Sequence, residues 1–376
     1  MSIKHLGEYR DPEIARGLIE GIRKTCKTCR RPICLMEVCG THTVSIFRND
    51  IRSVLPEGIS LISGPGCPVC VTDQGEIDAF VDIAGMDNTI IATFGDLMRV
   101  PGSRSSLQQQ RAEGRDIRVV YSSMDALDMA AGNPEKKVIF LGVGFETTAP
   151  TVAASLLLAE ERGLDNYYVL SAHKLVPPAL SGLMANRKVR TDGFILPGHV
   201  SVIIGANAYR PLVEQYRIPC AIAGFEPVDI LQAIYGLVRQ MEDHTARLEN
   251  TYKRAVSADG NVKALNLMHE IFETVDASWR GIGIIPASGL KIRKRFAAHD
   301  AQEAFSIKIP AAREIKGCSC GEILTGIMTP PECPLYKKVC TPENPVGPCM
   351  VSSEGSCAAF YRYHRSEKDG AEGGVI

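Results

Sequence analysis

What the sequence lacks first is a charge imbalance. Its 42 lysines and arginines face 43 aspartates and glutamates, a formal net charge of −1 over 376 residues. That balance removes the global electrostatic case for nucleic acid or an acidic membrane surface as a partner. The basic patch from Lys291 to Arg295 reads as a solvated helix face. A long apolar run is missing too, since no stretch reaches the ~18 residues that a membrane-spanning helix needs. Residues 1–10 are polar and charged and lack the apolar core of a signal peptide. The expectation is a cytoplasmic protein whose thiols stay reduced. An odd count of 13 cysteines argues against a fully paired disulfide framework. Clustered cysteines in a reducing compartment then read as metal ligands or redox thiols.

The middle of the chain repeats one unit: a β-branched apolar run, a polar or glycine-rich turn, and a helix-like segment. The runs fall at 33–38, 59–62, 89–94, 117–121, 137–143, 167–170, 193–196 and 219–223. Landmarks at Cys39, Cys67, Asp96 and Asp125 recur every 28 or 29 residues, and Glu146, His173, His199 and Glu226 every 26 or 27. Short continuous apolar runs suit strands buried on both faces, and helical crossovers between them suit parallel sheets. The fold class expected is α/β, with two similar domains of mainly parallel sheet and a helical, loop-rich third region. The divisions expected are an N-terminal helix at 1–32 packing on the C-terminal domain, α/β domains at 33–134 and 135–235, and a C-terminal domain at 236–376. Within them, 73–83, 150–162, 231–252 and 262–275 carry helical spacing. In open α/β sheets ligands bind beyond the carboxyl ends of the strands. Every polar landmark sits at such an end.

From residue 317 onward cysteine, proline and glycine dominate and periodicity vanishes. Cys318, Cys320, Cys333, Cys340, Cys349 and Cys357 fall within forty residues. Thiolates in loops with so little regular pattern suggest a metal that organises the chain. A zinc ribbon usually shows two close CxxC pairs, whereas here a CxC is followed by wide single steps. That favours an iron–sulfur cubane, reached from separated loops, over structural zinc or metal-free redox thiols. Four ligands are needed from six candidates, and periodicity does not choose them.

Gly64-Pro65-Gly66-Cys67-Pro68-Val69-Cys70 places a CxxC after a strand and ahead of a helix, whose N-terminus stabilises a thiolate. A reversible dithiol/disulfide needs that arrangement; half a zinc site or two inert thiols is the plainer alternative. Cys39-Gly40-Thr41-His42-Thr43 offers a soft and a borderline metal ligand three residues apart. The bland counterpart is a buried cysteine beside a capping turn. His173 and His199 read either as functional or as simply hydrogen-bonded. Glu146, ahead of Thr147-Thr148, is either a functional carboxylate or a helix cap. Cys26 and Cys29 lie among Lys24, Lys27, Arg30 and Arg31, which are expected to lower their pKa without making a metal site. Cys220 reads as a core residue of a strand.

Together these motifs resemble the HypD family of hydrogenase maturation proteins. The residues that carry the resemblance are Met36-Glu37-Val38-Cys39-Gly40-Thr41-His42-Thr43, 63–71, 145–150, 196–201 and 317–361, spread over nearly the whole chain. The resemblance implies a scaffold on which the Fe(CN)2CO unit of nickel–iron hydrogenases is built. It implies a HypC-type small chaperone and a HypE-type cyanide donor as partners, and one [4Fe-4S] cluster. The family's ligand pattern maps to Cys318, Cys333, Cys340 and Cys357, leaving Cys320 and Cys349 as possible redox partners. It makes Cys39 the candidate ligand of the transient iron, with His42 ligating or orienting, and Cys67/Cys70 a cycling dithiol. Glu146 and His199 complete the candidate reactive set. So read, the chain is a redox-active assembly scaffold more than a turnover enzyme. The competing readings are an iron–sulfur-dependent thiol–disulfide reductase acting on proteins and a zinc-stabilised adaptor.

Overall fold

The computed structural model describes residues 7–29, 31–312 and 315–364. The chain is α/β, with two parallel sheets and one antiparallel hairpin. All eight expected strands form: β1 (Ile33–Glu37), β2 (Ile59–Ser63), β3 (Thr89–Thr93), β4 (Ile117–Val119), β5 (Lys137–Gly142), β6 (Tyr167–Ser171), β7 (Gly193–Pro197) and β8 (Cys220–Ala223). Their residues are mostly buried on both faces, as continuous β-branched runs require.

The grouping of the strands differs from the expectation of two consecutive sets of four. The first sheet runs β2-β1-β7-β8 and ends on β9 (Leu248–Asn250); the second runs β4-β3-β5-β6. After β2 the chain leaves the first sheet, builds the whole second sheet, and returns to lay β7 against the free side of β1. The divisions at 33–134 and 135–235 therefore cut across both sheets. The repeat is local, a strand and its helix, and a local period carries no information about which neighbour a strand pairs with. Within each sheet the pairing follows the flavodoxin-like pattern, in which the second strand lies outside the first and later strands add on the other side. The order reverses between β1 and β7, and again between β3 and β5. Such switch points open a crevice at the carboxyl ends of the strands.

Two expected helices are cut short. Pro227–Glu242 replaces 231–252, the chain then turning into β9. Val262–Ile271 replaces 262–275, running straight into β10 (Phe272–Trp279) and β11 (Gly283–Ile292), a bulged hairpin. The β-branched and aromatic character of the hairpin, which packs on the helix Val176–Ala185, outweighs the helical spacing. The helices Gln74–Ala84 and Ala149–Glu161 match expectation closely.

The helix Pro12–Cys26 starts where Asp11 accepts the Glu13 and Ile14 N–H groups and Pro12 fills the first turn. Its main packing partner is Pro227–Glu242, so it serves as an outer layer of the first sheet. One continuous apolar core spans the interior of both sheets and includes Cys67, Cys70 and most of the cysteines from 318 to 357. The cysteine-rich segment is thus packed into the α/β body through the short helices Cys320–Leu324, Pro348–Val351 and Ser356–Tyr363. The last of these seats Phe360 edge-on against Phe47, ring centroids 4.5 Å apart. No described helix is long and apolar enough to cross a membrane.

Candidate metal and thiol centre

The first sheet's switch point carries the Cys39 motif after β1 and the His199 motif after β7. Cys39 is the N-cap residue of the helix Gly40–Arg48, and its buried thiol is pushed up to about 12 by burial. An empty thiol there stays protonated, and only a bound cation draws off the proton near neutrality. Glu37, charged by type yet inside a buried strand, holds the turn: its carboxylate accepts the Cys39 N–H (3.2 Å) and the Thr43 hydroxyl (2.5 Å). Burial raises Glu37 to about 7.

His42 is fully buried and lowered to about 4 by that burial, so it is neutral at pH 7. Its Nε2 lies 2.8 Å from the Gly224 carbonyl, which can only accept. The proton therefore sits on Nε2, and Nδ1 presents a bare lone pair with no partner. A hydrogen-bonded ring with its other nitrogen free is the state of a metal-ligating histidine. Phe225 packs against both histidine rings, 3.9 Å from His199 and 4.8 Å from His42 between centroids. Glu354, from the cysteine-rich segment, accepts from the Thr41 hydroxyl at 2.7 Å. Its charge opposes ionisation of Cys39 and favours protonation of His199, whose pKa burial nevertheless lowers.

The second thiol motif abuts the first. The Gly40 N–H donates to the Gly66 carbonyl (3.1 Å) and the Gly64 N–H to the Glu37 carbonyl (2.8 Å). A Cβ on Gly66 would overlap the Cys39 backbone, so only glycine allows this approach. Cys67 and Cys70 are joined by a disulfide, with Cα atoms 5.3 Å apart. Cys67 heads the single turn Pro68–Val71 and its sulfur accepts the Cys70 N–H at 3.3 Å. On its far side, Cys70 Sγ lies 3.8 Å from the Pro348 carbonyl, next to Cys349.

Five of the six C-terminal cysteines, Cys318, Cys320, Cys333, Cys340 and Cys357, line one small cavity whose remaining wall is chiefly apolar. Cys318 and Cys320 sulfurs are 3.3 Å apart, and Cys340 accepts the Val346 N–H at 3.3 Å. Burial, then the neighbouring thiols, drive the Cys357 pKa well up. Cys349 lies outside the cavity wall, in side-chain contact with Cys320. Among the described residues no three side chains already stand at metal-coordinating positions. The donor set fits an iron–sulfur cluster: buried soft sulfurs converge on one space and oppose one another's ionisation until a polycation compensates them.

The other sequence candidates fall elsewhere. Glu146 occupies the second sheet's switch point, where one carboxylate oxygen accepts the Val176 N–H (2.9 Å) and the other is buried without a partner. Burial raises it to about 7. Tyr209 is fully buried, and its hydroxyl accepts from the Ser201 hydroxyl, just after β7, at 3.3 Å. His173 belongs to the second sheet's edge, bonded to Ser171 at 3.1 Å and packed against Phe272. Glu226 caps the helix Pro227–Glu242 and pairs with the exposed Arg10. Cys26 and Cys29 are raised by burial, contrary to the expected lowering; Arg31, itself paired with Asp192, opposes the rise at Cys29 as the smallest of its causes. Arg30 lies outside the described residues. Cys220 is fully buried in β8, and Lys291 pairs with exposed Glu303. Sequence reasoning gave no role to Glu37, Phe225 or Glu354. A glutamate inside an otherwise apolar strand was the available signal for Glu37; nothing local marks the other two.

Fold and site define a class: an α/β protein that gathers a cysteine–histidine turn, a CxxC pair and a buried cysteine array into one interior. A family model described as the hydrogenase formation hypA family, HypD, matches residues 13–364, and the chain belongs to the HypD family. It is 44% identical to the hydrogenase maturation factor HypD of Rhodobacter capsulatus, over 96% of this chain and 98% of that protein. It is 42% identical to HypD of Escherichia coli K12, over 98% and 100% of the two chains. A putative hydrogenase expression/formation protein of Methanocaldococcus jannaschii is 44% identical over 88% of this chain and 92% of its own.

Proposed function

We propose that this chain is a hydrogenase maturation factor acting as the scaffold on which an Fe(CN)2CO unit is assembled. The observation that carries the reading is the meeting of the two thiol motifs at the first sheet's switch point, beside a buried histidine nitrogen with no partner. The iron is cargo: Cys39 ligates it, and His42 ligates through Nδ1 or orients it. Cys67 and Cys70 supply two electrons to a thiocyanate-like donor. The dithiol closes to a disulfide, the donor's S–CN bond breaks, one proton stays with the donor sulfur, and cyanide leaves with the other. His199, at the same switch point, is the group left to move protons there, and Glu146, at about 7, titrates near neutrality at the second sheet's switch point.

Cys318, Cys333, Cys340 and Cys357 would hold a [4Fe-4S] cluster, with Cys320 and Cys349 as an adjoining thiol pair. Such a cluster supplies electrons one at a time. The partners are a HypC-type chaperone and a HypE-type cyanide donor, and the setting is the reducing cytoplasm. A thiol–disulfide reductase is the second reading, favoured by the approach of Cys70 to Pro348.

Replacement of Cys39 separates them. With Cys39→Ala, protein purified anaerobically with its chaperone should lose infrared cyanide and carbonyl stretches that the wild type shows. Wild-type protein without those stretches, its partners present, would count decisively against the scaffold. Retention of protein-disulfide reduction by the variant would favour the reductase. Iron and sulfide near four each per chain remove the zinc adaptor.

A further inference from the structure

Arg280 follows β10 and is more than nine-tenths buried, with no ion pair among the described residues. Its backbone N–H donates to the Val71 carbonyl and its Nε to the Thr72 carbonyl, both at 2.9 Å, while Nη1 donates to Gln74 Oε1 at 2.7 Å. All three partners lie just beyond the Cys67–Cys70 turn. The remaining nitrogen, Nη2, is buried without a partner. Arg280 shares a groove of about 550 Å³ with Cys318, Cys320 and Pro348. The next residue, Gly281, packs so tightly on Gly321 that a Cβ at either would overlap the other's backbone. The guanidinium is thus fixed between the CxxC turn and the Cys318–Cys320 side of the cysteine array.

A buried cation without a counter-ion is destabilising. A cluster of thiolates has the opposite deficit. We propose that Arg280 is the built-in counter-cation of the cysteine array, a positioning residue that favours the reduced state of the cluster held there and pins the CxxC turn beside it. The inference rests on the cluster reading of the Proposed function. Reduction adds negative charge to the array, and a fixed neighbouring cation stabilises that charge, so its loss makes reduction harder.

The test is a potentiometric titration followed by electron paramagnetic resonance on full-length protein purified anaerobically, with iron and sulfide measured on each sample. Arg280→Gln should keep its iron and move the midpoint to more negative potential. Arg280→Lys, which keeps the charge, should stay near wild type. Should Arg280→Gln fail to fold, Gln74→Glu serves instead: a carboxylate on Nη1 neutralises the guanidinium in place and should shift the midpoint in the same direction. An unchanged midpoint in the iron-replete Gln variant, or in Gln74→Glu, overturns the proposal, as does an equal shift in Arg280→Lys. Absence of iron and sulfide from the wild type would sink the cluster reading itself, and is told apart by the metal analysis.

Discussion

Glu37 shows how one buried group ties stability to the site. Its carboxyl sits at about 7 against an ordinary 4.5, chiefly through burial. Between those pH values the folded chain keeps a proton that the unfolded chain has released, so folding weakens as pH rises through the window. For a shift of this size the loss is on the order of 3 kcal/mol. Glu146 has the same window. Glu37→Gln keeps a carbonyl for the Cys39 N–H and an amide for Thr43 but cannot ionise. Urea denaturation at pH 5 and pH 8 should show the wild type losing about 2.5 kcal/mol more than the variant. Equal losses would mean that Glu37 does not titrate in the window. His42 has the opposite sign: its depressed pKa contributes stability above about 6.5 that is lost as pH falls through about 4.

At the scale of elements, strands deliver the site and the turns after them make it. Gly66 lets the β2 turn reach the β1 turn, so Cys39 and the Cys67–Cys70 pair share a wall. Gly66→Ala should force the turns apart at a cost of about 1–3 kcal/mol, the range for overpacking. Gly17 lies mid-helix on an exposed face with open space where a Cβ would go. Gly17→Ala should stabilise by about 0.8–1 kcal/mol, the helix-propensity difference between glycine and alanine. Thermal or urea unfolding of the two variants checks both. Opposite signs are expected, and a neutral Gly66→Ala would remove the case for close approach of the turns.

The whole molecule is interleaved. β1 and β2 need β7 to complete their sheet, and β3 and β4 need β5. A fragment covering 33–134 holds both pairs and neither third strand. It should therefore show neither native circular dichroism nor dispersed amide resonances, while the full chain shows both. A folded fragment would mean that two-stranded units suffice. The same interleaving gives the protein its shared interior: one apolar core draws residues from the strands of both sheets. The cysteine-rich segment then closes against both thiol turns, through Glu354 on Thr41 and Pro348 on Cys70.

The sequence by itself determined the class of fold, the position of eight strands, and the placing of Cys39, His42, Cys67, Cys70 and His199 at strand ends, because apolar runs and turn residues act locally. It marked the six C-terminal cysteines as a group, because proline and glycine break every period there. It placed Cys220 in the core for the same local reason. Only the tertiary structure decided which strands share a sheet, since every strand offers the same parallel edges and the choice is made by distant burial. It alone brought Glu354 to Thr41, 313 residues apart in the chain. It alone left one nitrogen of His42 bare and set Arg280 between the thiol turn and the cysteine array. Such contacts depend on which surfaces exclude water together, and no local spacing records that.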